Sequence, residues 1–287
     1  MAEGWRWDET LFAGAAPHYE RGRLPYAPGY AETLAAALGL DDRSRLLDVG
    51  CGPGIVTLAA APFVGEAVGL DPDPGMLAEA RRRAERRGVA NVRWVAGRAE
   101  DLPGDLGAFQ AVVFAQSFHW TDRDRVAAAV LRMLPPGGAF VHIGNVQSPL
   151  AAPYAEIGDL VRRYLGPVRR AGQGVLVDGT PGREDLVLER AGFGPAERVV
   201  VPAGQTVDRT ADDLVAWTFS RSDSAPHLFG DRLAAFEHDL RALLGAGPFP
   251  ERLPATEIRI WRPARHTYAH VHTEEADDAQ QDDLRLG

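Results

Sequence analysis

Three glycines at alternate positions, Gly50, Gly52 and Gly54, close the apolar run Leu46-Leu47-Asp48-Val49 and open the small-residue stretch from Ile55 to Ala61. Glycines so placed let the backbone turn sharply and let a ligand lie against the main chain without meeting a Cβ. Their spacing narrows the ligand. A dinucleotide fingerprint reads G-x-G-x-x-G, whereas here the pattern is G-x-G-x-G and branched Ile55 follows Gly54. A phosphate-cradling P-loop needs a lysine, and every base in this chain is arginine. The absence of lysine also rules out Schiff-base chemistry on a lysine amine. Two further groups could do chemistry: Asp71, which ends the apolar run Ala67-Val68-Gly69-Leu70 and precedes Pro72, and the segment Gln116-Ser117-Phe118-His119-Trp120. An imidazole such as His119 is the side chain best matched to proton transfer near neutral pH.

These residues need elements to hold them. The runs Leu46–Val49, Ala67–Asp71, Val92–Ala96, Ala111–Ala115 and Ala139–Ile143 are continuous and apolar, and helical segments separate them. That alternation predicts βαβ units around a parallel sheet covered on both faces, an α/β, doubly wound core. Helices are expected at Tyr30–Leu40, from Met76 to Arg81 and beyond, and at Arg125–Leu134, with Thr121-Asp122 capping the last. Further on, Arg183–Ala191 reads as helix, Arg198–Val201 and Glu257–Trp261 as strands, and 210–245 as mostly helical with a polar break at Ser220–Ser224. In an open parallel sheet ligands bind beyond the carboxyl ends of the strands, and all the distinctive residues fall there.

Composition sets outer bounds. A chain of 287 residues with 45% hydrophobic content packs a substantial core, here expected as one domain over 1–272. The formal charge is −9, and the segment 273–287, with six acids and one base, supplies −5 of it. We expect that tail to be a disordered, solvated end. An acidic chain without a basic stripe argues against nucleic acid as partner. Cys51 is the sole cysteine, which excludes a disulfide framework and a cysteine metal cluster, and His18, His227 and His238 show no partner pattern that suggests metal. The N-terminus lacks the basic-then-apolar layout of a secretory signal and no stretch has the length of a membrane span, so a cytoplasmic location is expected.

The alternate-glycine loop resembles the first motif of class I S-adenosylmethionine-dependent methyltransferases. The Q-x-x-H-W-x-D run from Gln116 to Asp122 is similar to that of the trans-aconitate methyltransferase-like, type 11 group of small-molecule enzymes, as is the segment Tyr19 to Tyr26. The resemblance runs from about Tyr19 through the fifth strand and more weakly to Trp261. It implies a mostly parallel, seven-stranded Rossmann-like sheet with a helical cap, in elements at about 149–182 and 210–245 that set acceptor choice. S-adenosyl-L-methionine is the implied cofactor and a small molecule the implied methyl acceptor. The amino acid end of the cofactor would meet Asp48, Gly50, Cys51, Gly52 and Gly54, with Tyr19 and Arg23 folding over it. Asp71, beside Pro72, would take the ribose hydroxyls. Met76, Ala99 and Glu100 would meet the adenine, and Ala115, Gln116, Ser117 and Trp120 the remaining face. Two departures stand out: Arg98 and Gln110 occupy positions where relatives carry aspartate.

Several readings stay open. Asp71 suits an adenosine ligand of either a methyltransferase or a dinucleotide enzyme. His119 is a general base or substrate orienter, or it packs the edge of the cofactor and the cap, whereas His142, inside the fifth strand, reads as buried structure. The aromatic residues Tyr154, Tyr164, Trp217, Phe219 and Phe229 line a pocket or form core. A cofactor-binding cyclase or binding module and a nicotinamide-dependent oxidoreductase are the alternatives to methyl transfer.

Overall fold

The computed structural model describes residues 10–146, 153–167, 169–171, 174–176 and 183–264. The acidic tail, the first nine residues and parts of the 149–182 segment lie outside the described residues.

Seven strands form one sheet: β1 (Arg45–Val49), β2 (Glu66–Asp71), β3 (Val92–Ala96), β4 (Ala111–Ala115), β5 (Ala139–Asn145), β6 (Glu197–Val201) and β7 (Thr256–Trp261). Their order is β3-β2-β1-β4-β5-β7-β6, and every pairing is parallel except those of β7 with β5 and β6. The order reverses between β1 and β4, so the turns after these two strands border one crevice. Side chains alternate to opposite faces of each strand. Leu47, Val49, Val112, Phe114 and Phe140 pack beneath α5 (Arg123–Met133) and α7 (Glu184–Ala191), while Leu46, Ala67, Ala111, Val113 and Val141 pack beneath α2 (Tyr30–Leu38) and α3 (Ile55–Ala60). This two-sided burial is why the sheet strands read as unbroken apolar runs.

Helix boundaries follow their caps. Helix α2 stops at Leu38 because Gly39 enters the left-handed region, two residues short of the expected end. Helix α4 (Pro74–Arg87) starts two residues early because the Asp73 carboxylate accepts from the Gly75 and Met76 amides and Pro74 occupies the first turn. Asp122 caps α5 as expected, while Thr121 instead turns its hydroxyl to the Phe118 carbonyl.

A second hydrophobic cluster lies apart from the sheet. Helices α6 (Tyr154–Leu165), α8 (Ala211–Phe219) and α9 (Leu233–Leu244) pack through Ile157, Leu160, Leu214, Phe219, Phe236 and Leu240. Phe219, Phe229 and Phe236 are core here, with Phe229 and Phe236 stacked at 4.0 Å. Tyr154 and Trp217 instead line a separate cavity of about 880 Å³ between α6 and α8. An antiparallel ribbon, Thr206–Arg209 with Phe249–Arg252, braces the cluster. An N-terminal helix, α1 (Ala16–Gly22), is clasped on two sides: Glu20 pairs with Arg83 and Arg86 of α4, and Arg21 with Asp212 and Asp213 of α8.

Candidate active site

A cleft of about 720 Å³, open at its mouth, lies over the carboxyl ends of β1, β2, β3 and β4. It is walled by Gly50 and Gly52 after β1, Asp71 to Asp73 after β2, Gly97 to Glu100 after β3, and Ala115 to Ser117 with Trp120 and Thr121 after β4. Phe12, Tyr19 and Met76 close the side toward the N-terminus, where Phe12 meets Trp120 edge-on at 5.7 Å.

The loop after β1 is braced from behind. The amides of Gly50 and Cys51 both donate to the Leu70 carbonyl, at 2.8 and 3.1 Å, and the Gly54 amide to the Cys51 carbonyl. Gly50 and Gly52 sit at φ +67° and +53°, a region costly for any residue with a Cβ. A Cβ on Gly50 would come within 2.6 Å of the Ser117 Cβ, whereas one on Gly52 would project into open space within the cleft. Trp94 supports the loop from below: Cβ atoms on Gly54 or Gly69 would each lie 2.5 Å from its ring.

Asp71 is 7% exposed, and its two carboxylate oxygens accept from the Gly52 amide at 2.8 Å and the Asp73 amide at 2.9 Å. Burial pushes its pKa up to about 6 against the pull of those two amides. The amides fix the carboxylate plane, and each oxygen keeps a lone pair for a further donor. That geometry suits a vicinal diol.

Asp48 is placed differently. It lies beneath the loop, 1% exposed and outside the cleft wall, where one oxygen accepts both the amide and the hydroxyl of Thr57 at 3.0 and 2.7 Å. Its other oxygen has no partner and burial raises its pKa to about 7. Cys51 and Gly54 also face away from the cleft, the first with a thiol pushed up by burial and packed toward Gly69, the second over Trp94. Arg23 lies behind Tyr19, its guanidinium 5.0 Å from the Tyr19 ring centre and donating to the Ser220 carbonyl, while its Nε is buried without a partner. The carboxylate of Glu100 is already engaged by the Asp122 amide at 2.8 Å and by Arg98 at 3.6 Å, so this side chain braces the turn after β4. Gln110 stands just before β4, at the end of the sheet opposite the cleft, its side chain accepting from the Arg45 amide.

After β4 the chain turns through Gln116 at φ +58°, one of two non-glycine residues with positive φ among the described residues. The turn sends the Ser117 hydroxyl to the Val49 carbonyl, which ties the end of β4 to the end of β1. Ser117 therefore positions the glycine loop while also walling the cleft. His119 stands outside the cleft wall, its ring 4.5 Å from that of Trp120, and burial with neighbouring His142 and Arg123 lowers its pKa to about 4. The structure thus brings together Tyr19, Gly50, Gly52, Asp71, Pro72, Met76, Ala99, Glu100, Ala115, Gln116, Ser117 and Trp120 of the expected residues, and leaves Arg23, Asp48, Cys51, Gly54 and His119 behind them. Phe12, Asp73 and Thr121 are cleft residues that sequence reasoning did not select. Asp73 carried a signal, since an aspartate before Pro-Gly marks a helix start.

Residues 46–138 match the profile of a family described as methyltransferase domain. Over that span the chain is similar to methyltransferase domains. An uncharacterized methyltransferase of Mycobacterium bovis is 34% identical over 158 residues, 55% of this chain and 61% of that protein. The chain thus spans about three-fifths of the length of such a relative. The demethylmenaquinone methyltransferase of Thermus thermophilus is 42% identical over 101 residues, 34% of this chain and 45% of that protein. The crystal structure of the YcgJ protein of Bacillus subtilis superposes with a TM-score of 0.50 at 19% identity, covering 81% of this chain and 97% of that one, a likeness of fold.

The cleft fits S-adenosylmethionine on its own terms. It offers a wall without Cβ at Gly52, a carboxylate at Asp71 with both oxygens oriented, and apolar surface at Leu70 and Met76. The unpartnered Arg23 Nε and Asp48 oxygen lie behind this wall, both within electrostatic reach of Tyr26.

Proposed function

We propose that this protein transfers a methyl group from S-adenosylmethionine to a small organic acceptor carrying oxygen, nitrogen or carbon as nucleophile. Asp71, held by two backbone amides at the end of β2, is the observation that carries the reading. The cofactor supplies an activated methyl on a sulfonium that is itself a good leaving group. The protein's share is orientation and a dry site. Asp71 holds the ribose, Gly50 and Gly52 let the amino acid end approach the backbone, Pro72 and Met76 flank the base with backbone near Ala99, and Tyr19, Trp120 and Phe12 exclude water. Arg23 and Asp48 steady the charged tail from behind that wall. The cap helices α6, α8 and α9 select the acceptor, since caps and loops diverge on a constant scaffold.

Among the described residues no helix is long and apolar enough to cross a membrane, and no group of three or more His, Cys, Asp or Glu side chains is placed to hold a metal ion. We take the acceptor as a diffusible small molecule rather than nucleic acid, in a cytoplasmic setting. The test is calorimetry with S-adenosylhomocysteine beside NAD, followed by methyl transfer to a panel of phenols, amines and carboxylic acids. Binding of S-adenosylhomocysteine with turnover of a panel member is expected. Binding of NAD alone overturns the reading, and cofactor binding without any transfer favours the non-methylating alternative.

A further inference from the structure

Gln116, on the β4 wall of the cleft, borders a spot that it shares with the adjoining strand β5. In the parallel pairing of β4 with β5, Phe114 lies beside His142 and Ala115 beside Ile143, which brings Gln116 level with Gly144. Gly144 has no side chain, and a Cβ there would collide with Gln116 Nε2 and lie 3.5 Å from His142 Cε1. The missing side chain thus lets a carboxamide and an imidazole edge share one spot. Cε1 sits between the two ring nitrogens, so the edge turned toward Gln116 is the one flanked by both.

Gln116 is exposed at the cleft, and its backbone at φ +58° is a conformation that costs a residue with a Cβ roughly 1–2 kcal/mol. Strain of this kind persists where the surroundings over-determine it, and it clusters at ligand sites. Ser117 explains the turn, but it does not explain a glutamine in the αL position, where glycine or asparagine would fit at lower cost. What glutamine adds is a carboxamide, with two donors and an acceptor, that reaches over Gly144 to His142.

We propose that Gln116 and His142 form the acceptor-facing end of the site, Gln116 as an acceptor-binding residue and His142 as the proton acceptor, for a protic nucleophile such as a hydroxyl or amine. This assignment rests on the methyl-transfer reading above. The acceptor heteroatom bonds to the methyl carbon as the carbon–sulfur bond breaks, the sulfonium leaves as a neutral thioether, and the heteroatom's proton passes to His142 and on to solvent. Glu184, Glu257, Arg259 and His119 surround His142, two acids against one base and a second imidazole. Burial outweighs them and keeps the ring neutral, the form able to take a proton.

The test needs no knowledge of the acceptor. The full chain is saturated with S-adenosylmethionine bearing a 13C-labelled methyl, and isotope-filtered NOEs are recorded from that methyl. Cross-peaks to the Gln116 side-chain amide protons and to His142 Hε1 are expected. In Gly144→Ala, which fills the shared spot, the Gln116 cross-peak should vanish while affinity for S-adenosylhomocysteine stays within about threefold. A bound methyl whose NOEs reach only the Phe12, Tyr19 and Trp120 rings overturns the assignment and leaves cofactor binding intact. Failure of the nucleoside to bind at all overturns the functional reading itself, and this assignment with it. With a turned-over member of the acceptor panel, His142→Phe should lower kcat about 100-fold at unchanged cofactor KM, and turnover at the parental rate refutes the role of His142.

Discussion

The turns after β1 and β2 and the turn after β4 wall one crevice, yet they are finished in opposite ways. In the first pair the polar groups are engaged: the Gly50 and Cys51 amides on the Leu70 carbonyl, the Gly52 and Asp73 amides on Asp71. After β4, Gln116 lines the cleft from a strained backbone, and a Cβ on neighbouring Gly144 would meet both its carboxamide and the His142 imidazole edge. Preorganised hydrogen bonds cost nothing to rearrange when the same ligand arrives each time, whereas open donors and acceptors accommodate a partner that differs from one enzyme to the next. On the proposed reading the first half holds the cofactor and the second faces the acceptor.

Substitutions at the engaged end should have the largest effect. Asp71→Ala removes the acceptor of two backbone amides and, on the proposed reading, of the ribose, and calorimetry should show affinity for S-adenosylhomocysteine reduced by about 100-fold or more. Asp71→Asn, which retains one acceptor oxygen, should fall between. If Asp71→Ala binds normally, the contrast between the two ends is broken. The two glycines then divide stability from binding. Gly50→Ala forces a Cβ into Ser117 in an αL backbone and should lower unfolding free energy by about 3 kcal/mol in denaturant titrations. Gly52→Ala meets only the cleft, so its stability loss should be about 1 kcal/mol while its loss of cofactor affinity is the greater effect.

Asp48 gives a pH test of the same end. Its folded pKa, raised to about 7, exceeds the unfolded value near 3.9, so the folded state holds the extra proton between them. Stability should therefore fall as pH rises from about 4 to about 7, and Asp71, raised to about 6, acts in the same direction. Asp48→Asn can keep both Thr57 contacts on one oxygen, and it should flatten the dependence of Tm on pH across that window. An unchanged slope would place the titration elsewhere. The smallest effect is expected at the open end. Gln116→Gly relieves the αL strain and should raise stability by about 1 kcal/mol, sharpening the comparison if methyl transfer drops at the same time.

Much of the sheet was legible because parallel strands buried on both faces are unbroken apolar runs of characteristic length, and β3 and β4 fall on the expected residues. The small ribbon Thr206–Arg209 with Phe249–Arg252 was not, since its partners lie about forty residues apart and half its side chains are exposed. Nor was α1: seven residues beginning with Ala16-Pro17 show too little periodicity, and its packing on α8 decides it. Within the candidate site, spacing located the glycine loop but not the direction each residue faces. Asp48 points under the loop toward Thr57 and Cys51 toward Gly69, because strand alternation and the turn send alternate groups inward. His142 reads as buried structure because it lies within an apolar strand, and burial dominates its surroundings. What the sequence does not display is that Gly144, two residues on along the same face, leaves space beside it for the Gln116 carboxamide.

Trp94 stands on the outermost strand of the sheet, far in sequence from the loop it supports, and its indole occupies the ground that side chains at Gly54 and Gly69 would need. Three positions are therefore sterically coupled. A Cβ at either glycine meets the indole, and a smaller residue at 94 would hollow out the floor unless a neighbour grew to fill it. Pairing Trp94→Leu with Gly69→Ala should restore what each change loses alone, so which residues the glycine turn tolerates is set in part at the sheet's rim.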